Sequence, residues 1–162
     1  MRFTLAAVFV VGVALLALPA QVAQSTDSAT RTIRLVSLTV NSRLVVDRPP
    51  KGAPSKGDVV REESILRNAV PQFGRPKGAN VGSDVAIFTV TSARPVRMNV
   101  RVTVKLPGGT LRGRARITGT AIPGIRIVGG TGIFAKARGT GTVRDASGSA
   151  RGVLNIYRLQ RP

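Results

Sequence analysis

Residues 97–117, RMNVRVTVKLPGGTLRGRARI, decide the fold. Met98, Val100, Val102, Val104 and Leu106 alternate with Arg97, Asn99, Arg101, Thr103 and Lys105. A period of two sends successive side chains to opposite faces, so this is a strand with one apolar face and one charged face. Pro107-Gly108-Gly109 supplies a hairpin turn. The chain then resumes with Leu111, Gly113, Ala115 and Ile117 against Arg112, Arg114 and Arg116. Gly113 and Ala115 give the second strand a small-residue face, which suits a narrowing barrel interior or a bend.

The same period extends outward. Ile33, Leu35, Ser37 and Thr39 share one parity, against Arg34, Val36, Leu38 and Val40. Both sets are partly apolar, which predicts a strand covered on both sides. Residues 47–57, DRPPKGAPSKG, carry three Pro and two Gly and read as a loop. Extended structure restarts over 57–66, and 72–80 is rich in turn formers. Residues 81–91 form a second apolar run that includes Phe88, closed by the turn Ala93-Arg94-Pro95. A short strand over 124–128 leads into a glycine corner at 129–136 with room for one helical turn. Strands over 139–145 and 150–159 follow, joined by the turn Ala146-Ser147-Gly148. That makes about eight short strands without long helical periodicity or internal repeat, the pattern of a sandwich or barrel.

Composition narrows the chemistry. The 162 residues suit one domain, and 43% hydrophobic content is enough for a core despite a net charge of +18. Cys, His and Trp are absent, which removes disulfides, thiolate nucleophiles, His bases and the usual zinc ligands. No metal and no cofactor is expected. Arg2, an uncharged run from Phe3 to Leu18, the break at Pro19-Ala20 and the small residues after it follow the order of a secretory signal. The expected organisation is a signal peptide at 1–23, a flexible Ser/Thr-rich leader at 24–31 and a barrel domain at 32–162. The expected product is secreted, with no membrane span after cleavage.

Val128-Gly129-Gly130-Thr131-Gly132-Ile133-Phe134 is the most distinctive stretch. Gly130, Gly132 and Ala135 satisfy a loose G-x-G-x-x-A. A dinucleotide site needs a full crossover helix, for which the early return at Gly139 leaves no room. The structural reading is a tight barrel corner, with Gly129, Gly130, Gly132 and Gly139 admitting close approach and Ile133 and Phe134 plugging the barrel end.

The same corner, followed by Ala137-Arg138-Gly139 and a valine strand, resembles the late strand-turn-strand signature of dirigent proteins and is similar to that of plant allene oxide cyclases. Gly57-Asp58-Val59-Val60, Leu66, Gly78, Gly82 and the Gly-Gly-Thr-Leu turn at 108–111 extend the likeness, which covers about residues 33–159. It implies an all-β, eight-stranded antiparallel up-and-down barrel of a secreted bacterial type, often a homotrimer, with an apolar cavity. It also implies steering of ring closure in a fatty-acid epoxide, or of phenolic coupling.

Cyclases of that family place a Glu and an Asn at alternate first-strand positions. Here Thr39 and Asn41 fall near those places, so the carboxylate is missing there. Dirigent members use acids near the barrel mouth, for which Asp47, Asp58 and Asp84 are the candidates. Asp58 and Asp84 could equally cap turns, and Asp84 could pair with an Arg or be a buried carboxylate with a raised pKa. Glu62 and Glu63 are adjacent and must point to opposite faces. Arg138 reads as a structural donor. Thr39, Asn41, Phe88 and Tyr157 are the candidate ligand contacts; Asn41, Asp58 and Asp84 are the candidate catalytic groups.

Arg97, Arg101 and Lys105 share one strand face, and Arg112, Arg114 and Arg116 share the next. Six cations on one outer surface fit an anionic polymer of the cell surface, or simple solubility. Aromatics are 4% of the chain and none interleaves these rows, which argues against nucleic acid. Three functions stay open: a barrel that binds or orients a small hydrophobic molecule without its own catalysis, an isomerase or cyclase of an oxylipin or phenolic intermediate, and a basic protein for anionic polymers.

Overall fold

The computed structural model describes residues 30–119, 124–146 and 152–160. The expected signal peptide, nearly all of the leader and most of the turn at 146–148 lie outside the described residues. Eight antiparallel strands follow each other around a closed barrel: β1 (Arg31–Val46), β2 (Val59–Asn68), β3 (Asn80–Ala93), β4 (Val96–Leu106), β5 (Gly109–Thr118), β6 (Ile125–Gly130), β7 (Arg138–Asp145) and β8 (Val153–Gln160). The up-and-down order that the resemblance implies is therefore the observed one. β4 and β5 pair without a slip from Arg97↔Thr118 to Leu106↔Gly109. β1 closes the ring by pairing with β8 from Arg31↔Leu159 to Ser37↔Val153.

Every strand sends alternate residues inward, and the interior has three storeys. One end is solid: Leu35, Leu66, Val104, Leu111, Ile127 and Leu159 are buried there with Phe134. Burying each such side chain is worth about 1.5–3 kcal/mol. Gly113 is required in this layer, because a Cβ would stand 2.5 Å from Ile125 Cγ2 and 2.9 Å from Val102 Cγ1. The glycine corner caps this end. Gly132–Phe134 forms one 3-10 turn, and a Cβ on Gly130 would collide with the Thr110 carbonyl. Phe134 is the plug; Ile133, expected beside it, is instead 63% exposed, because the turn points successive side chains apart. Arg138 donates to the Val128 carbonyl at 2.8 Å and ties the corner to β6, the structural role read from the sequence.

The middle storey is hollow, and the opposite end is roofed by the loop at 47–57. Asp58 holds that loop: it accepts from the backbone N–H of Arg48 and of Ser55, both at 2.7 Å.

β1 departs from its expected form in two ways. Its outer face is covered only in part: Val36 and Leu38 are half-buried, while Val40 is 60% exposed. Its pairing with β2 also slips between Thr39 and Asn41, where Val40 is an extra residue opposite Ser64 and Glu63. A bulge of this kind reverses the inward parity of everything beyond it.

Candidate functional site

The hollow storey is a cavity of about 200 Å3. Phe88, Val100, Val102, Ile117, Ile125 and Val143 give it apolar walls. Polar groups gather on one side: Ser37 of β1, Ser64 of β2, Asp84 of β3, and Asn155 and Tyr157 of β8. Register brings them together, since Thr39 faces Ser64, Ser64 faces Asp84, and Leu35 lies between Asn68 and Asn155.

Asp84 is the centre of this group. It is buried, and the Ser37 hydroxyl donates to its Oδ2 at 3.1 Å. Burial pushes its pKa upward, the Ser64 and Ser37 hydroxyls pull back, and Glu62 pushes further up. Among the described residues, no Lys or Arg lines the cavity. Tyr157 is also almost wholly enclosed; burial, and next the charge of Asp84, hold its phenol protonated. Tyr157 lines the cavity, so its phenol can meet a guest there.

Of the residues singled out from the sequence, Thr39, Asp84, Phe88 and Tyr157 line the cavity. Asn41 does not: the bulge at Val40 turns it to the outer face, opposite Glu63. There it faces Glu63, whose carboxyl is held low mainly by the Arg61 guanidinium at 2.8 Å. Asp58 is committed to the loop, and together with Asp47 it lines a separate apolar recess of about 370 Å3 under that loop. Glu62 points inward and Glu63 outward, as adjacency on a strand requires. Ser37, Ser64, Glu62 and Asn155 were not singled out as site residues. Their signal was parity alone: Glu62 and Ser64 step by two from Leu66, and Asn155 steps by two from Tyr157.

A buried carboxylate in such a cavity has two uses. Ionised, it attracts a cation, a proton donor or positive charge that develops during a reaction. Protonated, it donates a hydrogen bond or a proton.

The closed eight-stranded barrel with a lined cavity has the fold of the dirigent and cyclase barrels. Three solved structures carry the likeness. A pyocyanin demethylase superimposes with a TM-score of 0.62 at 21% identity, covering 80% of this chain and 100% of that one. A pterocarpan synthase dirigent protein gives 0.58 at 21% identity, covering 84% and 86%. The Diels-Alderase AbmU from Streptomyces koyangensis gives 0.61 at 17% identity, covering 85% and 72%. No protein-family model and no curated protein sequence matches the chain.

Proposed function

We propose that the barrel binds and orients a small, largely apolar molecule in its central cavity, with a cationic or proton-donating group of that molecule held by Asp84. The observation that carries this reading is the buried Asp84 carboxylate, bonded to Ser37, with no cation among the described residues of the cavity wall. A buried charge without a partner is costly, so a site that keeps one has a use for it. The names of the structural neighbours, which include a dirigent protein and a Diels-Alderase, support the same direction.

A second reading is an isomerase or cyclase, in which Asp84 stabilises positive charge as a ring forms. The pairing of Asp84 with an enclosed, protonated Tyr157 favours it, because the two supply an anion and a proton donor in one cavity. The apolar stretch at residues 3–18 supports export of the chain.

Native mass spectrometry of the protein purified from its source tests the first reading and reads its assembly state at the same time. A bound small molecule, lost from an Asp84→Asn variant, is the expected result; an empty wild-type barrel overturns it. The second reading needs that molecule to leave as an isomer of equal mass and different retention time.

A further inference from the structure

The acids and bases of this chain are segregated. Its seven acidic residues are Asp27, Asp47, Asp58, Glu62, Glu63, Asp84 and Asp145, so the 60 residues between Asp84 and Asp145 contain none while holding eleven Lys and Arg. On the barrel this stretch contains β4, β5 and β6, whose outer faces are exposed. Register then sorts the cations. Arg97 faces Thr118, Arg116 faces Asn99, Arg112 faces Thr103 and Lys105 faces Thr110, so each of these four has a neutral hydrogen-bonding neighbour. The central row differs: Arg101 faces Arg114, and Arg114 faces Arg126. Three arginines therefore stand in one row across three strands, on backbones separated by about 4.8 Å. None of them has an ion pair among the described residues. Like charges directly opposite each other destabilise a sheet, so the row works against the fold that carries it.

We infer that the outer face of β4–β6 is a binding surface for a linear anionic polysaccharide, with Arg101, Arg114 and Arg126 as a transverse charge clamp and the flanking Asn99 and Thr103 as partners for sugar hydroxyls. The row lies in an open groove of about 550 Å3 that these three arginines share with Arg116 and Asn99. Guanidinium forks suit carboxylate and sulfate. Nucleic acid fits less well, because residues 96–130 contain no Phe, Tyr or Trp for a base to stack on. A membrane fits less well too: among the described residues the exposed large apolar side chains are Val40, Leu44, Val45 and Ile133, none of them on this face.

The test compares two triple variants of equal net charge. One is Arg101→Gln, Arg114→Gln, Arg126→Gln; the other is Lys51→Gln, Lys77→Gln, Arg94→Gln, all exposed positions elsewhere. The probe is polygalacturonate, measured over a salt series against oligo-dT and anionic vesicles. The expected result is that the row variant binds polygalacturonate at least tenfold more weakly, with a log–log salt slope shallower by roughly two to three. The control variant changes little, and the row variant melts no lower than wild type. Equal weakening in both variants shows net charge alone and overturns the clamp. Tighter binding of oligo-dT or vesicles than of polygalacturonate overturns the polysaccharide. An Asp84→Asn variant binds polymer as wild type does, so this inference and the cavity reading fail separately.

Discussion

Ser37 and Asp84 lie 47 positions apart in the chain, and their side chains meet at 3.1 Å across the intervening strand β2. This contact, with Ser64, is what the described residues offer a carboxylate removed from water.

The raised pKa of Asp84 has a sign in stability. Burial disfavours its charged form in the fold, so its contribution is most favourable below its ordinary value of 3.8 and declines as pH climbs through the raised folded value. Asp84→Asn is expected to melt higher than wild type at pH 7, and the gap is expected to close as pH falls toward 4. Melting curves of both proteins from pH 3.5 to 8 check this. A constant gap across that range would contradict it.

Tyr157→Phe removes a phenolic hydroxyl from the cavity wall. The expected cost in stability is small, within about 0.5 kcal/mol, since the buried ring is kept. Affinity for the cavity ligand is expected to fall about fivefold or more, the worth of one hydrogen bond at about 1 kcal/mol. Calorimetry on the ligand identified by native mass spectrometry reads the second quantity, and urea unfolding reads the first.

Asp58→Ala is expected to release the loop over the barrel mouth. Two backbone donors, Arg48 and Ser55, lose a charged acceptor, and each such bond is worth about 1.5–3 kcal/mol. Trypsin is expected to cut after Lys51 or Lys56 in the variant and to spare the wild type under the same conditions. Equal cutting would mean that the carboxylate does not hold the loop.

Gly113→Val is expected to cost about 1–3 kcal/mol by overpacking, since the first added carbon already meets Ile125 and Val102 side chains. Gly113→Val paired with Ile125→Ala should recover part of this loss. Urea unfolding of the single and double variants measures it.

The strand pattern was legible because burial on one side forces alternation. Arg97 to Ile117 shows it in full; about eight such segments leave a sandwich or a barrel, and the glycine-corner resemblance points to the barrel. The site was half legible. Asp84 and Tyr157 stand out as titratable or aromatic residues at inward parity. Ser37 and Ser64 do not, because a serine beside a buried carboxylate looks like any strand serine until the register sets them face to face. Asn41 shows the limit most plainly. Counting by twos from Ile33 puts it inside, yet the chain from Leu38 to Ser42 contains no Gly or Pro to mark the extra residue at Val40. A bulge answers to the pairing of both strands, and one strand read alone does not contain it.

The seam between β1 and β8 sets a timetable. Residues 31–37 must wait for residues 153–159 before the ring can close, and contacts this distant in sequence form slowly. Asn155 and Tyr157, two of the polar groups on the cavity wall, arrive with that closing strand. A nascent chain that has made seven strands therefore has neither a closed wall nor a complete set of ligand contacts. It does, however, already hold every arginine of the β4–β6 face. Charge matures early in synthesis and the pocket last, so a ligand that fits the cavity acts as a late folding partner and rewards only the finished barrel.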